Sequence, residues 1–165
     1  MKLQRIALLF AIVFAGAAVA FAQEPEKLPT LAPNAPVDKS QPLRSDQQRA
    51  FEDAIKPYIE KARKSYPEAK ERFLAGLSPK NFFFITTRLH DSAGHWEQVF
   101  IAVKEIKDGT ITGLIASDIE TVSGYKAGDK YSFAESELID WTISKPDGTE
   151  EGNVVGKFLD TYHPD

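Results

Sequence analysis

Residues 138–160 read LIDWTISKPDGTEEGNVVGKFLD and carry a strand, a tight turn and a helical spacing in immediate succession. Leu138, Asp140 and Thr142 alternate with Ile139, Trp141 and Ile143, so an extended chain points the two sets to opposite sides. Trp141 is the expected core anchor. Asp140, Glu150, Glu151 and Asn153 are expected at the strand surface or in the turn beyond it, where a site could sit. Pro146, Asp147 and Gly148 supply the turn. Past it, Val154, Val155, Phe158, Leu159 and Tyr162 return to helical spacing, with Asn153 placed to cap a short helix.

Working back from this stretch, the period is that of strands. Phe82–Ile85 is an apolar run of strand formers, and Asp91, Ser92, Ala93 and Gly94 make a turn. A second strand from Trp96 to about Ile106 meets Asp108-Gly109, a strong hairpin signal, and a third runs from Thr110 to Ala116. Gly128 and Asp129 turn the chain into a fourth strand through Tyr131 and Phe133, and Leu138–Ser144 is the fifth.

Further upstream the period is helical. Ser45 and Gln48 form a capping-box pattern, and Phe51, Ala54, Ile55, Tyr58, Ile59 and Ala62 share one stripe. Pro57 lies inside that stripe and predicts a kink or break near Asp53–Lys56. Pro67 predicts the start of a second helix that buries Phe73 and Leu74 and stops at Gly76. The expected fold class is α+β: N-terminal helices on a curved antiparallel sheet of about five strands, either open or closed into a small barrel, with a short C-terminal helix.

The N-terminus sets the expected address. Lys2 and Arg5 precede the apolar run Ile6–Val19, and Ala20, Phe21 and Ala22 give a small-x-small cleavage pattern. Residues 1–22 thus read as a signal peptide cut after Ala22, since the run is shorter than the roughly 20 residues of a retained anchor. Residues 23–43 hold five of the ten prolines and few bulky apolar residues, so an extended, disordered leader is expected. Residues 44–165 are expected to form a single domain. Net charge is −4, and removing Lys2 and Arg5 with the leader peptide leaves 18 basic against 24 acidic side chains, which argues against nucleic acid as a partner. The chain has no cysteine, which excludes disulfides, thiolate chemistry and lipid attachment through an N-terminal cysteine.

Several patterns coincide with a known family. They are ARKSYPEAKERF at 62–73, the phenylalanine run at 82–84, ExxFIxV at 97–103, ITG at 111–113, GDKYSF at 128–133 and the pair Asp140-Trp141. In their order and spacing the chain resembles the YegJ-like domain-of-unknown-function 2314 family, from about Ala62 to Leu159. The resemblance implies a small bacterial domain without an established activity. Relatives often carry tryptophan where this chain has Phe100, and a Gly-Gly-aromatic strand where it has TEEGNVVGKF. That departure leaves residues 153–160 open between helix and strand.

Three constellations carry candidate chemistry. His90, Asp91, His95 and Glu97 surround one hairpin turn in a set compatible with nitrogen and oxygen ligation, but no recognised ligand spacing supports it and no metal is expected. Asp140 with Glu150 or Glu151 offers a carboxylate pair for hydrolysis, with His95 as a further catalytic candidate. The plainer reading has Asp140 accept backbone hydrogen bonds and lock the turn. Ser117, Ser123, Ser132, Ser136 and Ser144 stand in no nucleophile motif, and His163 lies too near the terminus to serve as a base. Trp96, Phe100, Tyr125 and Tyr131 are groove or core aromatics, and Trp96, Tyr125 and Asn153 are the candidate ligand contacts. The expectation is a periplasmic or secreted, monomeric binding module without cofactor or membrane insertion, whose partner is a small molecule or an envelope protein. A hydrolase and a purely structural envelope protein are the alternatives.

Overall fold

A computed structural model describes residues 27–32 and 45–163, with the backbone alone for 45–48. The expected signal peptide, most of the leader and the Ser45–Gln48 cap lie outside the described residues or side chains. Helix α1 runs Ser45–Ala75, followed by strands β1 Phe82–His90, β2 Trp96–Lys107, β3 Thr110–Ile115 and β4 Lys130–Ala134. A short 3-10 turn at Glu135–Glu137 leads to β5 Asp140–Ser144, β6 Glu150–Gly152 and helix α2 Val154–Leu159. The six strands form one antiparallel sheet in the order β4-β3-β2-β1-β5-β6. The α+β class holds, and the sheet is open. β6 has only three residues before the chain turns into α2, and it does not pair with β4, so the sheet does not close into a barrel.

The N-terminal region is one helix of 31 residues rather than two. Pro57 and Pro67 each remove one backbone donor from the ladder, yet both lie inside the helix. Packing on either side of each proline holds it together. Ile55 joins Ile139 and Val155, with Phe51, Tyr58 and Ile59 against them. Ala62, Tyr66 and Ala69 instead pack on the sheet. Gly76, at φ +95°, ends the helix in the left-handed region as expected, with its N–H on the Phe73 carbonyl at 3.1 Å. Phe73 faces inward against Phe83, but Leu74 is 58% exposed because it falls one residue off the buried stripe.

Strand alternation sorts the sheet into two faces. The α1 side carries Phe83, Ile85 and Leu89 of β1, Val99, Ile101 and Val103 of β2, and Trp141 and Ile143 of β5. The opposite side carries Phe84, Phe100 and Ala102, with Leu31 from the upstream segment packed on them and Ala32 only 5% exposed. The leader therefore touches the domain at this point, which qualifies the expectation that it has almost nothing to bury. Turn residues Asp108 and Gly109 both have positive φ, as the tightest hairpin type requires.

The organising stretch departs from simple alternation in two ways. Leu138 and Ile139 precede β5, and Leu138 enters the α1-side core while Ile139 joins the cluster between α1 and α2. All five β5 residues are buried, because both faces are covered. The sixth strand went unseen in the sequence, since three residues are too few to show a period. Residues 150–160 are strand and helix in turn, which resolves the alternative left open for 153–160. Gly152 makes that join possible. At φ +75° it lies against Trp141, where an added Cβ would meet the Trp141 carbonyl oxygen and ring.

Trp141 is 8% exposed, donates its Nε1–H to Ser65 Oγ of α1 at 3.0 Å and lies 6.5 Å from the Phe83 ring. Trp141→Ala is expected to cost about 3–5 kcal/mol in urea unfolding, the usual penalty for emptying a large aromatic site.

Candidate functional site

Asp140 is fully buried, not at the surface where alternation alone would leave it. Its Oδ1 accepts the Trp141 N–H at 2.8 Å, and its Oδ2 accepts the Val155 N–H at 2.6 Å. Val155 is the second residue of α2, so Asp140 performs from a neighbouring strand the task usually given to the cap residue. Asn153 occupies the cap position itself, in left-handed geometry, but makes no side-chain cap bond. Its Nδ2 donates to Glu150 at 3.1 Å, and its backbone N–H reaches the Trp141 carbonyl at 2.7 Å. The turn lock expected of Asp140 is thus displaced by a few residues, from the turn to the helix.

The three carboxylates of the expected pair have separate duties. Glu150 accepts from Asn153 and stands 3.3 Å from Lys157 Nζ. Glu151 sits between Arg72 at 2.6 Å and Lys145 at 2.8 Å. Those hydrogen bonds, Arg72 first, hold its carboxyl at about 2. This ties β6 to α1 and keeps Glu151 charged. It is a half-exposed pair, so its net worth is within about 1 kcal/mol.

The residues of the β1–β2 turn also diverge. Asp91 Oδ1 accepts from the backbone of Ala93 and His95, and its Oδ2 faces His95 Nδ1 at 3.0 Å and Ser123 N–H at 3.3 Å. The His95 ring above all, with these backbone donors, holds the Asp91 carboxyl well below the usual range. Glu97 is buried and accepts N–H bonds from Glu120, Thr121 and Val122, at 3.0, 2.8 and 3.2 Å. It anchors the long β3–β4 loop by charge-assisted bonds. Among the described residues, no three His, Cys, Asp or Glu side chains converge as a metal-holding group.

The candidate aromatics part as well. Tyr125 and Tyr131 meet edge to face at 6.0 Å, and Tyr131 stacks on Phe133, all against the α1-side core. Phe100 and Trp96 belong to the opposite face, where Phe100 meets Phe84 edge to face at 6.4 Å. Trp96 instead lies beneath Arg88, whose guanidinium carbon is 4.2 Å from the ring centre.

Arg88 went unremarked in the sequence, because nothing local distinguishes it from other strand arginines. Pairing of β1 with β5 ends at Thr86–Asp140, so β1 outruns its neighbour by four residues. There α1 spans the gap, and a groove of about 240 Å3 opens, lined by Glu52, Ile59, Arg63, Thr87, Arg88, His90, Glu137 and Ile139. Arg88 NH2 is 2.7 Å from Glu52 and 3.4 Å from Gln98 Oε1. Its Nε is buried without a hydrogen-bond partner among the described residues. Arg63 closes one wall, donating to the carbonyls of Leu138 at 2.8 Å and Ser136 at 3.1 Å. Of the expected site residues, only His90 reaches this groove.

Burial raises the Asp140 carboxyl from 3.8 to about 6, against the lowering effect of its backbone donors and Lys157. The folded chain therefore holds this proton more tightly than the unfolded one, and Asp140 adds stability as pH falls from about 7 toward 4. Asp140→Asn keeps one acceptor but turns an NH2 toward a backbone N–H, at a cost of about 1–2 kcal/mol near neutrality. Urea unfolding of parent and variant at pH 7.5 and 4.5 should show the gap widening at the lower pH by on the order of 1–3 kcal/mol.

Comparison with known proteins gives one result. No curated protein and no solved structure matches this chain. A family model described as "Uncharacterized protein conserved in bacteria (DUF2314)" matches residues 48–162, from the first turns of α1 to just past α2. That span takes in the buried residues of the α1-side core, of the cluster between α1 and α2 and of the opposite sheet face, together with the Asp140 tie and the Arg88 groove, and the chain belongs to this DUF2314 family of uncharacterized proteins conserved in bacteria.

Proposed function

We propose that the chain is an exported binding module of the bacterial envelope, and that the groove where β1 outruns β5 takes a ligand bearing a carboxylate. The buried, unpartnered Nε of Arg88 carries this reading. Stacking on Trp96 and the bond to Glu52 hold the guanidinium plane in place, so the free N–H requires little further ordering to meet an acidic group. Glu52 itself shows that a carboxylate fits the guanidinium from the α1 side. Hydrolysis has less to stand on, since Asp140, Glu150 and Glu151 each hold a structural partner. Export rests on Lys2, Arg5, the apolar run and the Ala20–Ala22 pattern.

Two measurements test the proposal. Expressed with its own N-terminus in a bacterium, the chain should be recovered outside the cytoplasm beginning at Gln23; recovery of the unprocessed chain from the cytoplasm refutes export. Acetate, glutamate and short peptides with a free C-terminus should shift the Arg88 Nε–H NMR signal, and C-terminally amidated apolar peptides should not. Arg88→Lys should weaken that binding about tenfold or more, because the planar donor pair is lost. If no carboxylate probe moves the Arg88 signal, the groove is not the binding site.

A further inference from the structure

The Arg88 groove already holds a carboxylate of the chain itself. In a guanidinium the Nε–H and one N–H of NH2 point the same way, and together they make the fork that grips a carboxylate by both oxygens. NH2 carries two hydrogens, and two acceptors stand on it here, Glu52 at 2.7 Å and Gln98 Oε1 at 3.4 Å. The Nε on the same edge is buried and has no hydrogen-bond partner among the described residues. Glu52 therefore leaves half of the fork unmet. A second carboxylate that takes the whole fork must remove one of the two acceptors from NH2. Glu52 lines the groove and Gln98 does not, so a ligand entering by the groove meets Glu52 first.

We propose, resting on the carboxylate reading of the groove given above, that Glu52 is the groove's own competitor: it occupies Arg88 in the empty groove and yields to a monocarboxylate ligand that grips Nε and NH2 together. The exchange is local. Ile55 is buried with Ile139 and Val155, and Phe51 packs on the same cluster, so α1 stays seated on both sides of residue 52 while that side chain turns away. The Arg88 and Glu52 side chains are 23% and 35% exposed, which gives Glu52 water to turn into and the ligand a way to the pair. A displaced Glu52 stays at the rim, and Glu137 lines the same groove, so both oppose a second negative charge on the ligand. Arg63 commits its Nε and NH2 to the Leu138 and Ser136 carbonyls, which leaves little to offset that repulsion. One carboxylate is therefore favoured over two.

The test uses the mature chain, with acetate and succinate as probes and the Arg88 Nε–H NMR signal as readout. Glu52→Gln keeps the side chain's length and removes its charge, and should bind acetate about threefold to tenfold more tightly than the parent, because a part-exposed ion pair no longer competes. Glu52→Ala should do the same should the glutamine keep its place on Arg88. Gln98→Ala removes the other acceptor and should leave acetate affinity unchanged. In the parent, the Glu52 carboxyl carbon should shift over the same acetate concentrations as the Arg88 signal. Succinate should bind no more tightly than acetate beyond the statistical advantage of its two ends. Acetate binding that appears only in the Glu52 variants also supports the proposal. Equal acetate affinity in the parent and both Glu52 variants, or tightening by Gln98→Ala instead, overturns the role of Glu52 and leaves the carboxylate reading standing. Acetate that moves the Arg88 signal in none of these proteins overturns both.

Discussion

A single buried carboxylate joins the two halves of this domain. Asp140 opens β5, which lies between β1 and the short edge strand β6, and through the Val155 N–H it fixes the start of α2. A helix of six residues is too short to stand alone, and its first-turn donors need partners wherever they are buried. With α2 held, Val155 meets Ile55 and Ile139, and Phe158 stacks on Tyr58 at 4.1 Å. Those contacts in turn secure the N-terminal half of α1, which carries Glu52 and Ile59 over the groove. Desolvation opposes the charged form of Asp140 and its backbone donors favour it, so taking up a proton relieves the cost of burial while weakening the bonds themselves.

Charge elsewhere in the domain also serves architecture. Glu97 gathers three consecutive backbone donors of the β3–β4 loop, and Asp91 closes its own turn while reaching Ser123 of that loop. Glu135 binds Lys70 at 2.7 Å and the Tyr66 hydroxyl at 3.0 Å, pinning the β4–β5 connection to α1. Burial, reinforced by Glu135, pushes the Tyr66 hydroxyl well above its usual range and keeps it a donor. Against this background Arg88 stands apart, because its guanidinium is positioned from three directions and still has a buried donor to spare.

The two sheet faces differ in what covers them. One lies under a continuous helix through a wide aliphatic and aromatic core, and the other carries a narrow apolar strip met by Leu31. A helix packed across several strands is a permanent element.

Much of this was legible along the chain. The five longer strands, the Asp108-Gly109 hairpin, the Gly76 stop and the buried place of Trp141 follow from period and turn chemistry, which act between near neighbours. What acts between distant residues was hidden. Pro57 and Pro67 predicted breaks that packing on both sides overrode, and Asn153 predicted a cap that Asp140 supplies from another strand. Asp140, Glu150 and Glu151 read as a cluster because they lie close in sequence, whereas tertiary pairing sends each to a different partner. Arg88, Trp96 and Glu52 had no such proximity to betray them. Sequence by itself determined the period of each segment and hence the α+β class. Only the tertiary structure decided which polar groups meet, because strand register and helix placement bring together donors and acceptors tens of residues apart.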